Sequence, residues 1–282
     1  MSKRILVVLS EWGYWGEELV EPLDLFDTSG YQTTFVTPTG QRPAAIPASM
    51  DPTFVDPPLG RIVVTEEVAA KVRAIDSPQN PRLNSPVNLT QWFPEPPYLS
   101  SPTYLRDLEQ YNARIEQLAA TITAQFDALL LVGGSGPLFD MANNFRVKEL
   151  IRIFYHANKP IAAECYGTAC LAFTTISDEN PIEIIRGKHV TGHPVSYDYH
   201  DGWGIWDANH DTYIVARFPL IPLQKILESA VGDKGLFHGN VGREFSVVVD
   251  YPFITGRTTN DSRLTAAKLQ EVLEMGLTRY GF

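Results

Sequence analysis

Residues 5–9 read Ile-Leu-Val-Val-Leu, five apolar side chains in a row after a basic pair. A run this short, with no polar residue alternating through it, is a strand covered on both faces. Such a strand needs helices on either side of its sheet, which restricts the chain to a layered, mostly parallel α/β architecture. The rest of the sequence keeps to that alternation. Residues 17–26 carry Leu19, Leu23 and Phe26 at helical spacing, with Gly30 beyond as a stop, and β-branched residues 33–37 supply a second strand. Further strands are expected at 128–132, 160–164 and 245–249, and further helices at 147–157, 167–175, 219–231 and 262–277. Residues 183–213, rich in aromatics and histidines, read as hairpins and loops. The expected fold is a flavodoxin-like three-layer α/β/α sandwich.

Prolines interrupt this pattern twice. Six lie between Pro38 and Pro58 and seven between Pro78 and Pro102, so neither stretch can supply a central strand or a long unbroken helix. After the second stretch, Ser101 and Pro102 start a helix with Leu105, Leu108, Tyr111, Ile115, Leu118 and Ile122 along one face. Residues 41–125 are therefore expected to form a cap or lid inserted into a single α/β domain spanning 1–282.

At 282 residues and 44% hydrophobic, the chain can bury one large core. Its formal charge of −10 argues against nucleic acid, which would have to be held without a basic surface. A small-molecule substrate is the expected partner. No apolar run approaches the ~18 residues of a membrane-spanning helix, and the first residues lack the length of a signal peptide's apolar region, so no membrane association is expected. Asn88-Leu89-Thr90 fits a glycosylation acceptor that stays idle without secretion. Cys165 and Cys170, five apart on one turn-to-helix segment, face different ways and do not pair. The expected compartment is the reducing cytoplasm.

The sharpest local pattern is Ala162-Ala163-Glu164-Cys165-Tyr166-Gly167-Thr168-Ala169, an apolar strand running into a cysteine and then into small residues that open a helix. Small neighbours let the chain turn sharply and lift the cysteine above the sheet, which is the logic of a nucleophile elbow. A helix N-terminus there favours thiolate, so Cys165 is expected to titrate below the ~8.5 of a free thiol, while Cys170 stays inert. The plain alternative is a buried structural cysteine.

Four segments together resemble the DJ-1/PfpI (ThiJ/PfpI) superfamily: residues 16–22 (Gly-Glu-Glu-Leu-Val-Glu-Pro), 133–140 (Gly-Gly-Ser-Gly-Pro-Leu-Phe-Asp), 164–167 (Glu-Cys-Tyr-Gly) and 190–192 (Val-Thr-Gly). The second segment and the long cap are most similar to the branch of heat-shock chaperones with glyoxalase III activity. The resemblance implies that Cys165 is the nucleophile and that Glu18 approaches its sulfur from the first helix. Backbone N–H groups of Gly134 and Tyr166 would form the oxyanion site. It implies a homodimer, since the relatives usually associate, and no cofactor or metal is expected. Tyr166 is the departure, because the hydrolase-like and glyoxalase-like members commonly carry His there. A phenol titrating near 10 cannot be the neutral-pH base. His193 and His238 are the candidates to compensate, and Trp15, with Trp12 and Tyr14, the candidates for a pocket wall. The late His-x-Glu of amidotransferases is absent.

The functional expectation is a cysteine-dependent enzyme acting on a small carbonyl-like electrophile, through glyoxalase III-like hydration of a 2-oxoaldehyde or hydratase or hydrolase chemistry. The alternative is a non-enzymatic stress protein, either a chaperone or a cysteine redox sensor. His189, His193, Asp198, His200, Asp201, Asp207, His210 and Asp211 are ligand-type residues, but their spacing fits no metal motif.

Overall fold

The structure, a computed structural model, describes residues 2–198 and 222–282, with the backbone of the strands Ile205–Asp207 and Thr212–Ile214. Its central sheet is built from β1 (Arg4–Val8), β2 (Gln32–Thr37), β3 (Val87–Asn88), β4 (Ala128–Leu131), β5 (Ile161–Glu164), β6 (Val247–Asp250), β7 (Phe253–Gly256) and β8 (Arg279–Tyr280). The eight strands run in the order β8-β6-β7-β5-β4-β1-β2-β3. From β7 to β3 every pairing is parallel, and only β6 runs antiparallel to its neighbours.

Both faces are dry, as the opening apolar run requires. Leu6, Val8, Leu129, Leu131 and Ala163 point to one side, where they meet helices α3 (Tyr104–Gln125), α4 (Phe145–His156) and α5 (Leu223–Val231). Ile5, Val7, Leu130, Ala162 and Ile254 point to the other, against α1 (Glu17–Thr28), α2 (Glu66–Asp76) and α6 (Ser262–Met275). This is the three-layer α/β/α fold expected from the sequence. Because the inner strands are parallel, their C-terminal ends gather at one edge, where loops can converge on a site.

Three local expectations differ from the structure. The helix expected over 167–175 is a 3₁₀ turn, Cys165–Thr168, followed by a short α segment, Ala169–Ala172. The strand Phe253–Gly256 was not foreseen: the chain reverses at Tyr251-Pro252 and inserts it between β6 and β5. Helix α2 was also missed, although Thr65 caps it by accepting from the Val68 N–H at 3.2 Å and Val68, Ala69, Val72 and Ile75 form its buried stripe.

Within the expected cap, 41–125, only the part from Ile46 to Val63 lines the cavity described below. It includes a small hairpin, Val55–Asp56 paired with Arg61–Ile62. The remainder belongs to the scaffold: α2 and α3 cover opposite faces of the sheet, and Val87–Asn88 pairs with β2 at its edge. The two-residue length of that strand is what the surrounding prolines permit. Among the described residues no helix is long and apolar enough to cross a membrane.

Candidate active site

Strand β5 ends with Glu164 in register with Gly256 of β7. The next residue, Cys165, has φ +50°, a left-handed conformation unusual for a side chain larger than glycine. The hydroxyl of Thr168 donates to the Cys165 carbonyl at 2.7 Å and closes the turn. The strand thus stops abruptly and the sulfur is carried over the sheet's C-terminal edge.

Backbone N–H groups of Gly134 and Tyr166 reach this sulfur. Gly134 can sit there because its φ of +92° suits glycine and because a Cβ would come within 2.5 Å of the Trp15 backbone nitrogen. Trp15 in turn donates its N–H to the Gly133 carbonyl at 3.2 Å, tying the loop after β1 to the loop after β4. A Cβ on Gly133 would lie 2.3 Å from Oε2 of Glu18, so that glycine is what admits the carboxylate.

Glu18, in the first turn of α1, is 1% exposed. Its carboxyl reaches the Cys165 sulfur and the Gly133 N–H, while Oε2 is buried without a well-formed hydrogen bond. Burial pushes its pKa up to about 8, the charge of Glu17 pushes the same way, and the thiol and Gly133 contacts oppose. Glu18 is therefore mostly protonated at neutral pH and can donate a proton toward sulfur or substrate. Glu17 is itself raised to about 7, chiefly by burial, against a hydrogen bond from Thr259.

The expected depression of the Cys165 thiol is reversed. Burial first, and then the Glu18 charge, push it well above the ordinary value, while the Gly134 and Tyr166 N–H groups pull it down. The helix after the cysteine is the physical reason. One 3₁₀ turn and a four-residue α segment make a small dipole, too small to offset the burial of the sulfur.

Of the two candidate histidines, His193 is the one that the tertiary structure brings to the sulfur. Its Nδ1 lies 3.6 Å from the Cys165 sulfur, and its Nε2 lies 3.4 Å from Oδ1 of Asp198. Burial lowers its pKa to about 4, against a backbone hydrogen bond at Tyr197. The ring is neutral at physiological pH and can accept the thiol's proton. Tyr166 holds this pair in place: its hydroxyl donates to Oδ1 of Asp198 at 2.6 Å, and its ring stacks on His193 with centroids 4.4 Å apart. The residue that cannot be the base packs against the one that can.

His238 does not join them. Its Nε2 lies 2.9 Å from Nδ1 of His189, and its ring stacks with Phe282, because Leu236–Phe237 pairs with His189–Val190 and carries the two histidines side by side. Trp15 lines the cavity as expected, whereas Trp12 stacks on Phe139 and the Tyr14 hydroxyl donates to Asp76 at 3.1 Å. Of the ligand-type residues, His189 faces His238, His193 faces the cysteine and Asp198 stands behind His193. His200, Asp201, His210 and Asp211 lie outside the described residues, and of Asp207 only the strand backbone is described.

Two groups escaped the sequence reading. Asp198 stands out in the sequence only as a metal-type residue. Glu164 is fully buried with neither carboxyl oxygen in a well-formed hydrogen bond, and burial followed by the neighbouring Glu18 charge pushes its pKa well up, against a weak contact with the Ser262 hydroxyl. A glutamate ending an apolar strand was the available signal. Deeper in the same region Asp261 accepts from the Ser246 and Thr258 backbone N–H groups. Its role with Thr258 is a capping box, a spacing visible in the sequence.

Cys165, Glu18, Gly134, Tyr166, His193 and Trp15 all open on one cavity of about 1190 Å³. A family model described as ThiJ/PfpI family-like matches residues 9–204. Among solved structures, glyoxalase III from Candida albicans is 18% identical with a TM-score of 0.64, covering 97% of this chain and 98% of that one. The Rapid Encystment Protein 24 kDa of Francisella tularensis is 20% identical with a TM-score of 0.63, covering 96% and 99%. A ThiJ/PfpI domain protein from Brachyspira murdochii is 15% identical with a TM-score of 0.52, covering 98% and 99%. At these identities the likeness is one of fold. No curated protein matches the chain.

Proposed function

The chain belongs to the ThiJ/PfpI-like family, within the DJ-1/PfpI superfamily, and from that premise we propose that it is a cysteine-dependent enzyme acting on carbonyl-like electrophiles. The observation that carries the reading is the convergence on one sulfur of an imidazole at 3.6 Å, two backbone N–H groups and a protonated carboxyl. In this reading His193 takes the thiol proton at Nδ1 as sulfur attacks the carbonyl carbon. The S–C bond forms, the π pair moves onto oxygen, and the Gly134 and Tyr166 N–H groups receive the oxyanion. Asp198 orients His193 and stabilises the imidazolium that results, as the third member of a triad does.

For a 2-oxoaldehyde, Glu18 in its ionised form would carry the proton from the aldehyde carbon to the neighbouring oxygenated carbon. The resulting thioester is released by water as a 2-hydroxy acid, a net addition of one water with no external oxidant or reductant. A raised pKa suits this out-and-back role, because the group holds and returns the proton near neutral pH. The test is turnover of 2-oxoaldehydes by the purified chain, followed by hydroxy-acid product, with Cys165→Ser as control. Product that persists in that variant would sink the reading.

The raised thiol supports one competitor, a non-enzymatic stress protein in which Cys165 is slow toward carbonyls. Peroxide treatment that oxidises Cys165 stoichiometrically, without any turnover in the untreated protein, would favour it. We further propose a cytoplasmic homodimer. Sedimentation at micromolar concentration should give twice the mass of the 31.5 kDa chain.

A further inference from the structure

The cavity above Cys165 is far larger than the reacting group of a short aldehyde requires. We propose that its substrate is an electrophile carried on a bulky aromatic or apolar group, with the Val55–Ile62 hairpin forming the wall against which that group packs. This rests on the carbonyl-enzyme reading above and adds the class of substrate.

The cavity measures about 1190 Å³, at or above the range of about 300–1,000 Å³ that encloses drug-sized ligands. A three-carbon oxoaldehyde at the sulfur would leave most of it to water. One wall away from the sulfur is largely apolar, facing a polar one at Arg257, Thr258, Thr259 and Asn260: Phe54, Leu59 and Val63 come from the hairpin and its flanks, Trp15 and Ile46 from the loops after β1 and β2, and Tyr197 from beside the histidine. Phe54, Leu59 and Val63 are half-buried and face the cavity, whereas Val55 and Ile62, 51% and 52% exposed, lie on the outside of the same hairpin. Charge at the mouth is mixed, Arg61 and Arg243 standing with Asp51, Asp56 and Glu244, and the buried Arg257 guanidinium is engaged by the Asn240, Arg243 and Glu244 carbonyls. What remains to discriminate substrates is apolar contact area.

The experiment compares kcat/KM for methylglyoxal and phenylglyoxal in wild type, Phe54→Ala and Leu59→Ala. It adds binding of unreactive acetophenone and acetone to Cys165→Ala, read by tryptophan fluorescence. The expected result is a preference for phenylglyoxal of roughly tenfold to a hundredfold, a narrower ratio in both hairpin variants, and saturable binding of acetophenone with none of acetone. Cys165-dependent turnover with a ratio near one would overturn the inference and leave the enzyme reading standing. Binding of acetophenone with no turnover of either aldehyde would do the reverse.

Discussion

Cys165 and Cys170 lie five residues apart in sequence and are both buried, yet only one has chemistry arranged around it. Cys170 is 0% exposed and packs among the apolar residues between the sheet and α4 and α5. Burial, with a smaller push from Asp140, holds its thiol well above the ordinary value. The Cys165 thiol is raised as well, and for the same first reason. The difference lies in what surrounds each sulfur: Cys165 has His193, two backbone N–H groups and Glu18, on a backbone held at φ +50°. Burial alone therefore separates nothing here, and aimed donors and acceptors do.

The comparison breaks most severely by exchanging the sulfurs. Cys165→Ser should lower kcat by ~10³-fold or more, while Cys170→Ser should stay within about threefold of wild type, the range expected of a site outside the machinery. Steady-state kinetics on 2-oxoaldehydes checks both, and equal losses would erase the distinction.

The base is the next test. His193→Ala should slow alkylation of Cys165 at neutral pH by ~10²-fold. It should leave Cys170, which is reached only when the protein opens, at its wild-type rate. Mass spectrometry of the labelled peptides assigns each rate to its sulfur. A uniform change at both cysteines would mean that the variant had loosened the fold instead.

Glu18→Gln sharpens the electrostatic side. It removes the charge that helps to raise Cys165, so the pH midpoint of Cys165 alkylation should move down by about one unit. The charges that act on Cys170 are those of Asp140 and Lys148, so its midpoint should not move. The same variant reports on stability. Glu17, Glu18 and Asp140 are raised to about 7, 8 and 7. A carboxyl raised on folding contributes stability that is complete below its unfolded value and is lost as pH rises through its folded one. Wild type should thus weaken between pH 5 and 9, and Glu18→Gln should lose less by on the order of a few kcal/mol. Thermal melts across that range would contradict this if the two proteins weakened in parallel.

The smallest expected effect is that of Tyr166→Phe, which keeps the ring stacked on His193 but deletes the hydroxyl bonded to Asp198. The loss of that buried hydrogen bond should cost about 1–2 kcal/mol, or roughly 2–6 °C in Tm. Alkylation of Cys165 should slow several-fold as Asp198 loses its anchor, with Cys170 unaffected. An unchanged Cys165 rate would show that Tyr166 acts only through its ring.

Much of the frame was legible beforehand because it rests on local and periodic information. The apolar runs at 5–9, 128–132 and 160–164 could only be strands dry on both faces, and the elbow around Cys165 announced itself through small residues following a strand. Gly133 and Gly134 marked a loop in which a side chain would collide with Glu18 or the Trp15 backbone. The short strand Phe253–Gly256 was not legible, because four residues after a tight turn carry little pattern and gain their place only by pairing with β5.

The sequence by itself determined the layered parallel sheet and the place of Cys165 at the C-terminal end of a strand, since both follow from chain-local pattern and strand polarity, whereas the approach of Glu18 was implied only by the resemblance to the DJ-1/PfpI superfamily. Only the tertiary structure decided which histidine meets the sulfur and which way the thiol's pKa moves. His193 and His238 are equivalent on paper; pairing of Leu236–Phe237 with His189–Val190 turns one toward His189, while stacking on Tyr166 holds the other beside the sulfur. The sign of the thiol's shift depends on desolvation, which is a sum over every group packed around the sulfur and has no counterpart in the order of residues along the chain.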